Sequence, residues 1–478
     1  MAAQIKFGTS GWRAIVADEF TFANVRRAVQ GIARYVARKK PGGARVIVGR
    51  DPRFLGEQFV SAAADVLQQH GVVAVVIPEP APTPAISHAV RVTKADGAIN
   101  FTASHNPPAY NGIKFSTPDG APALPEVTRA IEAEIAVAPS AQLATSSPDV
   151  AKQADGLSHT LDVREPYLKR LKELVEFEVI RKAGLRVVFD PLWGAARGYS
   201  DTALRDAGIA VETVHDWRDV LFGGHAPEPD DHLLQAMRAK MRETRAHIGI
   251  ATDGDADRFG IVDQDGTFLQ PNYVISLLFD YLVETRQWRN GVAKSVATTN
   301  FINALARHHG VELHETPVGF KYIGELIERD AIAIGGEESA GLSIRHHVPE
   351  KDGIIAGLLC CEMVARRGKP LNEQLHALFA KVGSFYPLRE NFRLTAEVKE
   401  KFTRKMGEVS SGAAPRQFFG RVVGEVVTKD GLKLVFNDGS WVCYRLSGTE
   451  PVVRVYSEAP SERALSQISA DAKRWIFE

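Results

Sequence analysis

The sequence predicts an α/β protein in which three topologically similar units with mixed, largely parallel sheets precede a smaller α+β domain. Three observations carry that reading. Short runs such as 46–48 and 187–189 are apolar at every position, as strands covered by helices on both faces must be. The order strand, polar turn, helix, glycine stop, strand occurs three times, although the residues themselves do not repeat. Beyond Ser384 the pattern changes to short strands separated by hairpin signals.

In the first unit, 46–48 is the opening strand and 49–53 its polar turn. Phe59, Ala63, Val66 and Leu67 form a helical stripe that ends at Gly71, because glycine accepts the left-handed conformation at a helix C-terminus. Strands at 72–77 and 98–99 follow, the latter running into Thr102-Ala103-Ser104-His105-Asn106-Pro107. The second unit has a strand at 187–189, a loop through Asp190 and Gly198, a helix ended by Gly208 and a strand at 209–214. Its later strand, 248–250, leads into Asp253-Gly254-Asp255-Ala256-Asp257-Arg258. The third has a strand at 296–297, a helix through Ile302, Leu305 and Ala306 stopped by Gly310, and a strand at 332–334 leading into Gly336-Glu337-Glu338-Ser339-Ala340-Gly341. Each unusual loop follows a strand's carboxyl end, where open α/β sheets place ligands, so the three are expected to face one shared cleft.

In the C-terminal domain, strands at 421–428, 432–436 and 441–444 are joined by Lys429-Asp430-Gly431 and Asn437-Asp438-Gly439. Arg445-Leu446-Ser447-Gly448-Thr449-Glu450-Pro451, a strand at 452–456 and an amphipathic helix complete it. The Ala/Ser/Pro-rich segment 136–158 reads as a linker. The expected domains are 1–145, 146–265, 266–383 and 384–478; a prior of roughly 150 residues per domain suggests about three for a chain of 478, with four well within reach.

Composition narrows the function. Lys plus Arg and Asp plus Glu both number 58, so no global field draws the chain to nucleic acid or an anionic membrane, and phosphate recognition must be local. The N-terminus has no apolar h-region, and the most apolar later stretch, 354–361, stops at Glu362. The three cysteines, Cys360, Cys361 and Cys443, have neither zinc-site nor disulfide spacing. These features read as a reducing, cytoplasmic protein without a membrane partner.

Asp253, Asp255 and Asp257 put three carboxylates at alternate positions, which is costly unless they share a cation, and hard oxygen ligands favour Mg²⁺ or Ca²⁺. An EF-hand is rejected, since Arg258 and Gln264 stand where it needs Gly and Glu. A solvated acidic turn is the plainer alternative. Ser104 is a nucleophile if a base and a cation assist it, or else a turn residue; no G-x-S-x-G elbow surrounds it. Lys114, after the Asn111-Gly112 turn, is a possible acid or base, or a surface lysine. Arg445, Ser447, Gly448 and Thr449 combine guanidinium, hydroxyl and backbone donors suited to a phosphate, in a composition that a plain turn shares. Glu337 and Ser339 suit sugar hydroxyls, or a helix cap.

Together these loops resemble the α-D-phosphohexomutase superfamily, the phosphoglucomutases and phosphomannomutases. The resemblance spans nearly the whole chain: F-G-T-S-G-W-R at 7–13, T-A-S-H-N-P at 102–107, N-G-I-K at 111–114, D-G-D-A-D-R at 253–258, T-P-V-G-F-K-Y at 316–322, G-E-E-S-A-G at 336–341 and R-L-S-G-T-E-P at 445–451. It implies four domains around a deep cleft, a phosphoryl group on Ser104, and Mg²⁺ held by that phosphate with Asp253, Asp255 and Asp257. It further implies catalytic roles for Arg13 and Arg258, proton transfer by His105 and Lys114, sugar contacts from Gly319, Glu337 and Ser339, and phosphate contacts from Lys351, Arg445, Ser447, Gly448 and Thr449.

The implied reaction interconverts glucose 1-phosphate and glucose 6-phosphate through a glucose 1,6-bisphosphate that reorients in the cleft and also serves as activator. G-E-E-S resembles the phosphoglucomutases, whereas glucosamine enzymes tend to read G-E-Q-S and bispecific mannose enzymes G-E-M-S. Gly341 also stands where the latter two often carry His. Phosphomannomutase, bispecific and phosphoglucosamine mutase activities are the alternatives within the family. A metal-dependent phosphatase and a non-catalytic sugar-phosphate binder are the alternatives outside it. Small phosphosugars are the expected partners, a monomer or homodimer the expected assembly, and closure of the fourth domain the expected motion.

Overall fold

The computed structural model describes residues 5–8, 10–137, 158–412, 416–447 and 451–478. The expected linker and the expected boundary at 145/146 fall mostly outside them. The chain forms two compact units, one of Met1–Val274, Gly319–Ala331 and Ser339–Leu371, the other of Ile275–Val318, Ile332–Glu338 and Asn372–Glu478.

In the first unit, strand Arg45–Arg50 pairs in parallel with Val73–Val76 and Ala98–Phe101, the three strands read from the sequence. The helix Gly56–Gln69 buries Phe59, Ala63, Val66 and Leu67, and Gly71 adopts φ +69° just beyond it. The sheet is extended by two antiparallel strands, Tyr110–Ser116 and Trp12–Ile15, and by Ser158–Thr160 at the opposite edge. Asn111-Gly112, expected as a turn, therefore lies inside a strand. Gly112 is there because a Cβ would meet Thr102 O at 2.5 Å and Trp12 O at 2.7 Å, a close approach of backbones from both sides.

The second sheet repeats the plan. Arg186–Asp190 is flanked in parallel by Ala210–Thr213 and Ile248–Thr252, and the antiparallel strands Phe259–Asp263 and Phe268–Leu269 complete it. The apolar run 354–361 is the interior of helix Gly353–Arg367, whose Cys360 and Cys361 are fully buried and whose Glu362 accepts from Glu176 N–H at 2.8 Å. Burial pushes both thiols up and Cys443 to about 12, which disfavours the thiolate form of all three. Among the described residues no helix is long and apolar enough to cross a membrane.

In the second unit, Val292–Ser295 pairs in parallel with Leu313–Thr316 and Ile334–Glu337. Both sequence-predicted strands here, 296–297 and 332–334, are displaced from the true ones. Lys294 breaks the apolar pattern yet is fully buried, its Nζ donating to Asn300 Oδ1 at 2.8 Å and Thr298 O at 3.0 Å. Gly336 looks unlike a strand residue, but the Ile275 side chain occupies the space a Cβ would need, 2.7 Å away.

The C-terminal sheet is antiparallel in the order Tyr386–Arg393, Val452–Ala459, Trp441–Leu446, Leu432–Phe436, Arg421–Val427, Gln417–Phe418. Both predicted hairpins are present. Phe402 from helix Ala396–Ser410 and Trp475 from helix Glu462–Phe477 close its core on Tyr444.

A buried polar network joins this sheet to the parallel strands of the same unit. Lys433 donates to Val296 O at 2.9 Å and lies over the Trp441 ring, while Glu458 accepts from Trp441 Nε1 and from Asn300 N–H. Movement of the C-terminal sheet must either break this network or carry residues 294–300 with it. Burial, then Lys433, lowers the Lys294 ammonium to about 7 against the pull of Glu315 and Glu458. Between about pH 7 and the usual lysine value the unfolded chain holds a proton that the folded one lacks, so this residue's contribution to stability rises with pH. The Tm difference between the native chain and Lys294→Met should therefore shift in favour of the native chain from pH 7 to pH 9; a pH-independent difference would contradict it.

Candidate active site

Strand Ala98–Phe101 delivers Ser104 to a buried position, 1% exposed, at φ +52°. A non-glycine residue in this region costs energy and persists only where surrounding contacts impose it. Ser104 N–H donates to Thr102 Oγ1 at 2.8 Å. Its hydroxyl donates to Asp253 Oδ2 at 2.7 Å and lies 3.3 Å from His105 Nδ1. Strand Trp12–Ile15 brings in Arg13, which holds Asn106 Oδ1 at 2.7 Å.

The aspartate loop is the hairpin turn between Ile248–Thr252 and Phe259–Asp263, with Ala256 at φ +61°. Asp253, Asp255 and Asp257 are buried, and one oxygen from each lies within 4.8 Å of the others. Lys114, from strand Tyr110–Ser116, donates to Asp255 Oδ2 at 2.6 Å and Asp257 Oδ2 at 2.7 Å; Lys351 reaches Asp257 Oδ2 at 2.6 Å. Thr83 donates to Asp255, and Arg258 ties its backbone N–H to Asp253 Oδ1 and its guanidinium to Glu228 at 2.8 Å.

Burial and the neighbouring carboxylates Asp257 and Asp255 push Asp253 well up, while Lys114, Lys351 and Arg258 overcome burial to hold Asp257 well down. Burial drives His105 well below its usual value, reinforced by Arg258 and Arg13, so its imidazole is neutral. Burial pulls Lys114 down, but Asp255 and Asp257 outweigh it and the ammonium persists. Asp255 Oδ1 and Asp257 Oδ1 are buried without a hydrogen-bond partner. Three clustered carboxylates with two orphaned oxygens form an all-oxygen set that fits a hard divalent cation.

The two loops touch at Gly254, where a Cβ would lie 2.6 Å from Ser104 O. Gly254→Ala is therefore expected to push the serine and aspartate loops apart, costing about 1–3 kcal/mol of stability by overpacking and lowering activity. Urea unfolding with parallel kinetics would show it; a stable, fully active variant would contradict the geometry.

Ser104, His105, Lys114, Arg13, Arg258, Lys351 and the three aspartates thus form one connected cluster. Gly319, at the start of helix Phe320–Glu328, and Ser339 belong to the same unit. Glu337, Arg445 and Ser447 belong to the other unit. There Glu337 ends strand Ile334–Glu337, Arg445 is held by Asp430 Oδ2 at 2.8 Å, and Ser447 N–H donates to Val452 O. Gly448 and Thr449 lie outside the described residues. Thr83, Glu228 and Arg53 are not singled out by the sequence; only the Asp51-x-Arg53 turn after a buried strand marks the last of them.

Four family models match in order: "Phosphoglucomutase/phosphomannomutase, alpha/beta/alpha" domain I at 4–141, domain II at 165–266 and domain III at 270–382, and the C-terminal domain at 393–474. A phosphoglucomutase/phosphomannomutase of Thermococcus kodakarensis is 32% identical over 95% of both chains. A protein of Methanosphaera stadtmanae, provisionally named a phosphoglucosamine mutase, is 28% identical over 98% of both. A solved structure from Thermus thermophilus, described provisionally as a phosphomannomutase, shares 34% identity over the full length of both chains with a TM-score of 0.85. The repeated α/β units, the buried serine beside a three-aspartate turn and these full-length matches lead to one conclusion: the chain belongs to the phosphoglucomutase/phosphomannomutase family and is a phosphohexomutase.

Proposed function

We propose that the chain is a Mg²⁺-dependent phosphoglucomutase that interconverts glucose 1-phosphate and glucose 6-phosphate through a phosphorylated Ser104 and glucose 1,6-bisphosphate. The observation that carries this reading is the Ser104 hydroxyl, 2.7 Å from Asp253 inside the buried aspartate cluster. Asp253, Asp255, Asp257 and a phosphoryl oxygen on Ser104 would hold Mg²⁺, which supplies positive charge to offset the phosphate and the carboxylates.

A hydroxyl of the sugar phosphate attacks the phosphorus on Ser104. The new P–O bond forms as the bond to Oγ breaks, and the hydroxyl's proton leaves to a base. His105 and Lys114 serve proton transfer at the reacting oxygens; Arg13 and Arg258 stabilise charge there. The bisphosphate then turns over, and its other phosphoryl group returns to Ser104. Gly319, Glu337 and Ser339 grip the ring hydroxyls in both orientations. Arg445, Ser447, Gly448 and Thr449, with Lys351, hold the phosphate that is not reacting. Burial of Ser104 to 1% exposure favours a mutase over a phosphatase, since water must be kept from the phosphoserine.

Glucose is the preferred substrate on the strength of G-E-E-S and Gly341. A Cβ at 341 would lie 2.2 Å from Lys351 Cδ, so the path of Lys351 to Asp257 depends on glycine there, and histidine would force it aside. The phosphoglucosamine mutase name of a relative keeps glucosamine phosphates as the second substrate to test. Phosphorus NMR of glucose 1-phosphate with the protein, Mg²⁺ and a trace of glucose 1,6-bisphosphate should show glucose 6-phosphate growing without inorganic phosphate. Inorganic phosphate instead would identify a phosphatase. Turnover of only mannose or glucosamine phosphates would reassign the substrate.

A further inference from the structure

The most completely satisfied side chain near Ser104 is Arg53, a residue without a part in the scheme above. It is 1% exposed, and all five of its guanidinium N–H donors have acceptors. Nε donates to Asp51 Oδ2 at 3.0 Å. Nη2 donates to Ser104 O at 2.7 Å and Asn106 O at 2.6 Å; Nη1 donates to Pro107 O and Tyr110 O, each at 2.9 Å. Three carbonyls of the serine loop and that of Tyr110, the first residue of the next strand, thus converge on one planar group. The guanidinium carbon lies over the Phe222 ring, 5.0 Å from its centroid.

Asp51 closes a ring. Its Oδ2 accepts from Arg53 Nε and from Thr102 Oγ1 at 2.6 Å, and Thr102 Oγ1 accepts from Ser104 N–H at 2.8 Å. The N–H of Ser104 is therefore fixed through Thr102 and Asp51, and its C=O through Arg53. Those two groups define the residue's own backbone conformation, the one held at φ +52°. Without the clamp, the backbone of Ser104 has no reason to keep a conformation that an L-residue avoids, and Oγ would leave its position beside Asp253.

We propose that Arg53, oriented by Asp51, is a positioning residue for the phosphoryl-transfer step. It holds Ser104 in the left-handed conformation that points Oγ at the aspartate cluster, and it touches neither substrate nor metal. This rests on the phosphoserine reading above. Lysine cannot replace it: an ammonium offers three donors from a single point and cannot reach five acceptors spread around a plane.

The test is a single-turnover measurement of phosphoryl transfer from Ser104 to hexose phosphate in Arg53→Lys and Arg53→Ala, beside steady-state kcat and KM and thermal unfolding. We expect Arg53→Lys to lower the transfer rate by about 100-fold, the effect of displacing a reacting atom by about 1 Å, with KM little changed. We also expect added guanidinium ion, at a non-denaturing concentration, to restore part of the rate to Arg53→Ala. Native transfer rates in folded variants would overturn the proposal. So would losses that follow only the folded fraction without guanidinium rescue, and so would failure of both variants to fold, which makes Arg53 a requirement of the fold. If the native chain itself takes no phosphoryl group on Ser104, it is the phosphoserine reading that fails.

Discussion

Replacing Ser104 with alanine is expected to lower kcat by on the order of 10⁴-fold or more, the scale seen when a covalent nucleophile is removed. Stability should fall far less than activity. The serine already carries the strain of φ +52°, and alanine meets the same strain, so the substitution removes one hydroxyl and its bond to Asp253 without altering the backbone. The lost hydrogen bond leaves the buried Asp253 Oδ2 without this donor, a cost of about 1–3 kcal/mol. Steady-state kinetics with glucose 1-phosphate and a thermal melt separate the two effects: activity lost with the melt only modestly lowered is the expected pair. A Ser104→Ala enzyme with native turnover would remove the covalent mechanism altogether.

The second large effect is expected at Asp257. Its Oδ2 is the shared acceptor of two buried ammonium groups, Lys114 at 2.7 Å and Lys351 at 2.6 Å. Asp257→Asn keeps the shape and removes the charge. Lys114 retains Asp255, but among the described residues Lys351 keeps only Glu350, 3.6 Å away. Breaking a buried ion pair from one side typically costs about 3–5 kcal/mol, because the remaining charge stays buried without compensation. The same change removes one of three carboxylates from the set that fits a divalent cation. Urea unfolding should therefore show a loss of that size, and the Mg²⁺ concentration needed for half-maximal activity should rise. A variant as stable as the native chain, with unchanged Mg²⁺ dependence, would show that the cluster is neither a charge network nor a metal site.

What the sequence revealed and what it concealed have the same physical cause. Strands such as Arg45–Arg50 and Arg186–Asp190 are buried on both faces, so their apolar runs are plain, and Gly71, Gly208 and Gly310 mark helix ends because each takes a positive φ. The antiparallel strand Tyr110–Ser116 is hidden because Asn111-Gly112 has turn composition, and the glycine is explained by the backbones of Thr102, ten residues back, and of Trp12, a hundred residues back. Val292–Ser295 is misplaced because a buried Lys294 obeys its partners rather than the apolar pattern.

The site shows the same division. Its dense motifs are legible as chemistry: Ser104 beside His105, and three aspartates at alternate positions. Their supports are not, because Thr83 finds Asp255 across 172 residues and Arg53 finds Ser104 across 51. Local spacing records which groups can react; the contacts that aim them belong to the fold.

The central claim is that Ser104 carries the phosphoryl group that passes to the sugar. The most direct measurement incubates the native chain with glucose 1,6-bisphosphate bearing radiolabelled phosphate, maps the label by peptide, and then adds unlabelled glucose 1-phosphate. The account predicts label on the peptide containing residues 102–107 and its transfer into sugar phosphate, at a rate no slower than turnover. Label elsewhere, label that leaves only as inorganic phosphate, or turnover without a labelled enzyme would contradict it.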